Sequence, residues 1–206
     1  MSKLLELEKS GQSVWLDFIR RSLITSGELQ DLIKKGIRGI TSNPAIFEKA
    51  IAGSDDYDAA IWSLIKADKS IDQIYESLAL EDIGMAADLL RNIYETSGGG
   101  DGFVSLEVNP HLADETEKTV AEATRLFETL NRPNVMIKVP ATPAGLPAIT
   151  RLIGTGVNIN VTLIFGLDNY KAVAEAYLAG LEKLAAAGPV AKSGQPLDRI
   201  ASVASF

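Results

Sequence analysis

The chain has 206 residues and a formal net charge of −7, with 46% hydrophobic and 23% charged residues. These values are typical of a folded globular chain, and the length suits one large domain or two small ones. The acidic balance argues against nucleic acid and anionic membrane as partners, because both reward clustered basic residues.

The chain contains no cysteine, and His111 is its single histidine. This composition excludes disulfides, thiolate metal sites and histidine metal clusters, and it leaves almost no room for Ser-His-Asp chemistry. We see no signal-peptide pattern at the N-terminus and no apolar run near the roughly 20 residues that span a bilayer. We therefore expect a soluble, cytoplasmic protein that works without a metal or a redox cofactor.

The first part of the chain alternates short apolar runs with amphipathic helical patterns. Residues 13–19 and 37–42 are apolar in pattern and predict the first two strands. The helix between them is expected to begin at Thr25, because Glu28 three residues later completes a capping-box spacing. Gly36 can adopt the left-handed conformation found at helix ends, and it predicts the end of this helix.

Helical patterns dominate the next segment. Pro44 occupies the favoured first position of a helix, residues 56–96 have a helical period throughout, and Ser70 with Gln73 has the spacing of another cap. After a glycine-rich loop, strands and helices alternate again. The predicted strands are 103–108, 135–139, 157–165 and 200–206, and the predicted helices are 115–130, 145–153 and 168–187.

Strands that alternate with helices indicate a parallel sheet covered by helices. An open doubly wound sheet and a closed (β/α)8 barrel both fit this order. The two-residue period gives each strand one apolar face and one face with a polar residue near the carboxyl end. Such a polar face is typical of a barrel whose site lies at the carboxyl ends of the strands. The polar residues are Asp17, Asn43, Glu107, Lys138, Asn160, Thr162 and Ser205.

We therefore interpret residues 1–206 as a single α/β domain, a (β/α)8 barrel with a helical insertion near 56–96. The apolar run 200–206 predicts a sixth strand with no helix after it, and six strands cannot close an eight-stranded barrel. We expect about two further βα units in a longer functional protein. The covered apolar face of the fifth strand is expected to include Leu163 and Phe165.

Lys138 needs the most explanation, since it lies in the apolar run 135–139. Burial disfavours a charged amine, and a neutral amine in a dry pocket is a nucleophile towards carbonyl carbon, as in a Schiff base. Asp17 and Glu107 offer two carboxylates, enough for a general acid and base. A lysine that reaches out to water, or an ion pair that only neutralises buried charge, fits the same residues.

Five segments of the chain resemble the transaldolase family in their sequence, order and spacing. The resemblance covers essentially the whole chain, and the long helical segment is similar to that of the larger bacterial transaldolases. It implies a TIM barrel of the class I aldolase type, and some close relatives are fused to a glucose-6-phosphate isomerase. The matching segments are residues 14–17 (VWLD), 39–47 (GITSNPAIF), 105–110 (SLEVNP), 136–142 (MIKVPAT) and 158–163 (NINVTL).

The resemblance implies transfer of a dihydroxyacetone unit from sedoheptulose 7-phosphate or fructose 6-phosphate to an aldose phosphate, in the pentose phosphate pathway and without any cofactor. It implies sugar phosphates as substrates and a homodimer or a fused isomerase domain as protein partners. Two alternatives stay open. One is a fructose-6-phosphate aldolase-like enzyme. The other is an inactive barrel fragment without the phosphate site, because the family's phosphate-binding arginines would lie beyond Phe206.

The resemblance also implies roles for individual residues. Lys138 matches the Schiff-base lysine that attacks the C2 carbonyl of the ketose, and Asp17 matches the acid/base that takes the C4 hydroxyl proton. Glu107 and Thr162 match the pair that holds a catalytic water during carbinolamine dehydration. The implied substrate-binding residues are Asn43, Asn160, Ser205, Thr41 and Ser42.

Overall fold

The structure, a computed structural model, describes residues 2–188 and 196–206. The chain divides into two compact units, Met1–Ile93 with Asp101–Val104 and Tyr94–Gly100 with Ser105–Phe206. No helix in these described residues is long and apolar enough to cross a membrane.

The first unit contains two parallel strands and most of the helices. β1 pairs with β2 so that Asp17 lies opposite Thr41. A hydrogen bond of 2.9 Å from the Ile40 N–H to the Phe103 carbonyl continues the sheet to the start of β3. The elements are β1 (Val14–Asp17), β2 (Ile37–Thr41), α1 (Lys3–Lys9), α2 (Arg21–Thr25), α3 (Glu28–Lys35), α4 (Pro44–Ala52), α5 (Asp58–Lys66) and α6 (Ile71–Thr96), whose last turn belongs to the second unit.

The second unit continues the alternation of strands and helices. β4 pairs with β5 in parallel, with Lys138 opposite Asn160, and β5 pairs with β6 in parallel, with Asn160 opposite Val203. The elements are β3 (Val104–Glu107, whose first residue belongs to the first unit), α7 (Thr116–Leu130), β4 (Val135–Pro140), α8 (Gly145–Ile153), β5 (Ile159–Thr162), α9 (Leu167–Ala187) and β6 (Ser202–Ala204).

Within each unit, each strand lies beside the strand that precedes it in the chain. In the first unit β1 lies beside β2, and in the second unit the order is β3-β4-β5-β6. A doubly wound sheet reverses its order at a switch point, whereas a (β/α)8 barrel adds every strand next to the previous one. The strand order confirms the predicted α/β class and the barrel type of fold, of which residues 2–188 and 196–206 supply six strands.

The predicted helix start at Thr25 is wrong. Thr25 ends α2, and its hydroxyl donates to the carbonyl of Arg21 one turn earlier (3.1 Å) instead of capping a new helix. α3 begins at Glu28 behind Gly27, whose positive φ of 87° turns the chain between the two helices. A short helix before the glycine therefore takes the place of the predicted cap.

Two other predicted helix starts are confirmed. Pro44 is the first residue of α4, and the Asn43 side chain caps that helix. Ser70 and Gln73 form a reciprocal capping box at the start of α6. The Ser70 N–H donates to Gln73 Oε1 (3.1 Å), and the Gln73 N–H donates to Ser70 Oγ (3.3 Å). Both starts follow from side-chain partners that the sequence supplies locally.

The fifth strand ends earlier than predicted. β5 stops at Thr162, and Leu163 has a φ of 61°, a conformation that is a rarity for a bulky side chain. The turn breaks the two-residue alternation, so Leu163 and Phe165 are 55% and 83% exposed whereas Ile164 is buried. The prediction that Leu163 and Phe165 lie on a covered face is therefore wrong.

A buried polar cluster holds α6 against the segment that follows β1. The Tyr57 hydroxyl and the Arg21 Nε donate to the two oxygens of the Asp82 carboxylate at 2.7 and 2.8 Å. Burial raises the pKa of Asp82 although both partners favour its charged form. Because both oxygens of the buried Asp82 carboxylate are hydrogen-bonded, the long helix is fixed next to α2 within the first unit.

The half-buried Asp101 carboxyl predicts a pH-dependent stability. It accepts hydrogen bonds from Ser13 Oγ (2.9 Å) and the Gly102 N–H (3.0 Å), and burial raises its pKa. A carboxyl with a higher pKa in the folded state contributes stability at low pH, which is lost as the pH rises through that pKa.

Asp101→Asn keeps the accepting oxygen and does not titrate. We expect its free energy of unfolding, relative to wild type, to rise between about pH 3 and about pH 7. Urea unfolding of both proteins at the two pH values measures this difference. A difference that does not change with pH would contradict the prediction.

Candidate active site

The polar residues along β5 differ in how well their hydrogen bonds are satisfied. Asn158, just before the strand, is bound entirely to backbone. Its Nδ2 donates to the carbonyls of Pro133 (2.8 Å) and Val135 (3.1 Å), and its Oδ1 accepts from the Ala201 N–H (3.0 Å). Asn158 therefore links neighbouring strands at the amino end of the sheet, and its side-chain polar atoms are already hydrogen-bonded to backbone.

Asn160, one step further along the same face, is held by two hydroxyl groups. Its Nδ2 donates to Ser105 Oγ on β3 (3.1 Å), and its Oδ1 accepts from Ser205 Oγ (2.7 Å). Asn160 and Ser105 are buried, and the Ser205 N–H is bound to the Val161 carbonyl. The structure thus brings Asn160 and Ser205 together, as their shared polar face predicts, and adds Ser105.

Thr162, at the carboxyl end of β5, is buried with an unsatisfied hydroxyl. Its Oγ1 has no hydrogen-bond partner within residues 2–188 and 196–206. An unsatisfied buried hydroxyl costs about 1–3 kcal/mol, so its presence calls for a water or a ligand. Along this face the polar groups pass from backbone partners to side-chain partners to none, which locates the candidate site at the carboxyl end.

Lys138 lies at this end of β4 and contacts a carboxylate. Every residue of β4 is buried, and the Lys138 Nζ is 3.2 Å from Glu107 Oε2, with side chains 11% and 21% exposed. Its backbone is opposite that of Asn160 on β5. The amine is therefore largely withdrawn from solvent, beside one carboxylate, and Glu107 is the carboxylate of the expected ion pair.

The first unit carries the other predicted site residues at the carboxyl ends of β1 and β2. Asp17 is the last residue of β1, lies opposite Thr41 and is exposed. Its carboxylate forms no hydrogen bond or ion pair with the described part of the chain. Ser42, which follows Thr41 in the chain, is buried. Asn43 Oδ1 accepts from the Ile46 N–H (2.9 Å) as the cap of α4, which fixes the side chain and leaves its amide nitrogen as the donor that can bind a ligand.

The side chains of these two sets are hydroxyls, amides, carboxylates and one amine. Within the described residues, no group of three or more histidine, aspartate or glutamate side chains could hold a metal ion. Amides and hydroxyls suit a ligand rich in hydroxyl groups, and an amine beside a carboxylate suits chemistry at a carbonyl carbon.

Comparison with known proteins gives a consistent family. The model of the family described as Transaldolase/Fructose-6-phosphate aldolase matches residues 14–206. The chain is 54% identical to Transaldolase of Trichodesmium erythraeum and 50% identical to Transaldolase 2 of Nostoc punctiforme, in each case over 98% of this chain and 52% of the relative. It is 50% identical to Transaldolase of Saccharopolyspora erythraea over 100% of this chain and 54% of the relative. The chain therefore spans about half the length of the curated relatives it matches.

Strands in sequential order, with a lysine and a carboxylate at their carboxyl ends, define a barrel-type α/β protein with a polar site at the strand ends. Within that class, the chain belongs to the Transaldolase/Fructose-6-phosphate aldolase family. The family expected from the sequence segments is confirmed.

Proposed function

We propose that the protein transfers a dihydroxyacetone unit from a ketose phosphate to an aldose phosphate, through an imine formed on Lys138. The observation that carries this proposal is the Lys138 amine, which is largely buried, 3.2 Å from the Glu107 carboxylate and on the strand next to Thr162. A structural ion pair alone would leave the unsatisfied hydroxyl of Thr162 unexplained. The family membership and the names of the relatives support the same chemistry.

Imine formation needs a proton to leave the amine and a proton to reach the departing hydroxyl. Glu107 lies within reach of the Lys138 amine and can accept the first proton. Loss of the carbinolamine hydroxyl then requires a bound water or a donor, and the free Thr162 Oγ1 can hold that water. The resulting iminium withdraws electrons from the C3–C4 bond of the ketose and allows its cleavage.

The remaining residues would bind the sugar and move its C4 proton. The Asp17 carboxylate is exposed at a strand end, and as the acid/base it would take the C4 hydroxyl proton during cleavage and return it to the acceptor. Asn160 keeps one amide proton and one lone pair beyond its bonds to Ser105 and Ser205, so it can still bind a donor hydroxyl. Asn43 offers its amide nitrogen, with Thr41 and Ser42 before it in the same turn.

A fructose-6-phosphate aldolase is the second candidate, because the description of the matching family includes both activities. It would protonate the carbanion and release dihydroxyacetone. Product analysis with and without erythrose 4-phosphate separates the two. A transferase forms sedoheptulose 7-phosphate only when the acceptor is present, whereas an aldolase releases dihydroxyacetone in its absence.

The direct test is borohydride trapping of the full-length protein with fructose 6-phosphate, followed by intact mass and peptide mapping. We expect one donor-derived adduct, on Lys138. An adduct on another residue, or none, rejects the mechanism, and the second result would favour an inactive barrel fragment. The intact mass, with light scattering, also tests a homodimer and a fused isomerase domain as partners.

The unsatisfied hydroxyl of Thr162 predicts opposite effects on stability and on chemistry. Thr162→Val keeps the shape of the side chain and removes a buried oxygen without a protein partner, so the free energy of unfolding should stay the same or rise. The rate of adduct formation should fall by about 10²-fold, because the catalytic water loses a ligand.

Urea unfolding and time-resolved borohydride trapping measure the two effects of the Thr162 substitution. Thr162→Ser, which keeps the hydroxyl, is the matched control and should retain the wild-type rate. A valine variant that traps the ketose as fast as wild type would contradict the role of Thr162.

A further inference from the structure

The loops that follow β3 and β4 are joined by the hydroxyl of Thr142. Its Oγ1 donates to the Ala113 carbonyl (2.5 Å) and accepts from the Gly145 N–H (2.9 Å). A hydroxyl has one proton and two lone pairs, so the two bonds can be made at once. We refer to these two bonds as the Thr142 bridge. Only the bond to Ala113 crosses between the two βα units, and a separate crossing bond runs from Thr116 Oγ1 to the Ala144 carbonyl (2.7 Å).

The bridge joins the loops that follow the two strands of the Glu107–Lys138 ion pair, since Ala113 comes after Glu107 and Thr142 comes after Lys138 in the chain. Glu107 is the last residue of β3, and the Val108 N–H donates to the Lys138 carbonyl at 3.3 Å. After this point β3 and β4 end and lead into their separate loops. The Thr142 bridge then connects the two loops, so beyond Glu107 the two βα units are linked first by this backbone bond and then by the bridge.

We propose that Thr142 is a positioning residue that holds the Glu107 carboxylate within proton-transfer distance of the Lys138 amine. This inference rests on the proposed imine mechanism. Proton transfer needs heavy atoms about 2.6–3.2 Å apart, and the observed distance of 3.2 Å is at the upper limit of that range. A small separation of the two loops would therefore interrupt the transfer, and a displacement of about 1 Å can cost roughly 10²-fold in rate.

A purely structural role makes a different prediction. The Thr142 carbonyl also accepts from the N–H groups of Gly145 (2.9 Å) and Leu146 (3.1 Å), so this residue helps to begin α8. If the hydroxyl served only the helix start, its removal would lower stability and leave the rate of imine formation unchanged. The rate and its pH dependence, and not stability, decide between the two roles.

Three variants of the full-length protein separate these roles. Thr142→Val removes the hydroxyl at nearly constant shape, and Thr142→Ser keeps it. Thr119→Val is the matched control, because Thr119 Oγ1 donates to the Leu112 carbonyl (2.8 Å) within one βα unit and does not reach the loop after β4. Single-turnover trapping with fructose 6-phosphate and borohydride over a range of pH gives the rate, and urea unfolding gives the stability.

We expect Thr142→Val to slow adduct formation by about 10²-fold and to change its pH dependence, because proton transfer to Glu107 becomes limiting. Thr142→Ser should restore the rate. Thr119→Val should lose stability but trap the ketose as fast as wild type. If Thr142→Val does not fold, Thr116→Val tests the second bond between the same units and should slow the reaction in the same direction.

A Thr142→Val variant, or failing that a Thr116→Val variant, that traps the ketose at the wild-type rate overturns the inference. So does a Thr119→Val variant that is slowed as much as Thr142→Val. Each of these results leaves the imine mechanism intact. Absence of any adduct in the wild-type protein rejects the proposed function itself, and the positioning role with it.

Discussion

Replacing Lys138 by methionine is expected to abolish the borohydride-trapped adduct and to lower transfer activity by at least about 10⁴-fold. The covalent route needs an amine at this position, and this loss lies within the 10⁶-fold or more by which enzymes accelerate reactions. Trapping and a coupled assay on the full-length protein measure both effects. Lys171→Met, which changes an exposed lysine of α9 in the same unit, is the control and should keep both signals.

The same substitution should have a small effect on folding. Removing one partner of a fully buried ion pair costs about 3–5 kcal/mol, because the other charge is left without compensation. Glu107 is partly exposed and can be hydrated, so we expect Lys138→Met to lose only about 1–2 kcal/mol. Adding Glu107→Gln should recover most of that loss. A trapped adduct in Lys138→Met, or a loss that Glu107→Gln does not recover, would contradict this account of the pair.

Elements with strong local signals could be predicted to the residue. α8 runs from Gly145 to Ile153 as its periodicity indicates. Pro44 begins α4, and Ser70 with Gln73 caps α6, because these residues carry the partners of the helix start themselves. A helix that supplies its own cap needs no information from the rest of the chain.

Two predictions were wrong because the backbone conformation determined where the element ends, and the side-chain types do not indicate that conformation. Thr25 has the spacing of a cap, but Gly27 turns the chain after a short helix, so its hydroxyl is used inside that helix. Leu163 continues the two-residue alternation of β5, yet its positive φ of 61° ends the strand. A leucine gives no warning of a left-handed conformation, whereas a glycine would.

The candidate site could be predicted as far as the two-residue period of the strands reaches. That period places Glu107, Lys138 and Asn160 on one polar face, and the structure adds the contact between the first two. The same period, counted back from Glu107, would have indicated Ser105. The role of Thr142 could not be predicted, because its partner lies 29 residues away in another loop.

Gly145→Ala is expected to destabilise the fold by about 3 kcal/mol or more, although alanine has the higher helix propensity. Alanine favours a helix over glycine by about 1 kcal/mol, and Gly145 is the first residue of α8. A Cβ at this position would lie 1.9 Å from the Pro140 carbonyl oxygen, a backbone atom at the end of β4. Since neither atom belongs to a flexible side chain, relief requires α8 and the strand to move apart.

That movement would also reach the candidate site. Pro140 is two residues beyond Lys138, and the new Cβ would lie 3.2 Å from Thr142 Oγ1, so the Thr142 bridge would be displaced together with the strand end. The free energy of unfolding, measured with urea, and the trapping rate should both fall. Gly166→Ala is the matched control, because Gly166 precedes α9 in extended backbone with open space around its Cβ position, and it should cost less than about 1 kcal/mol. A Gly145→Ala variant as stable as Gly166→Ala would mean that α8 can shift relative to β4, and the Thr142 bridge could not then hold the two loops in a fixed position.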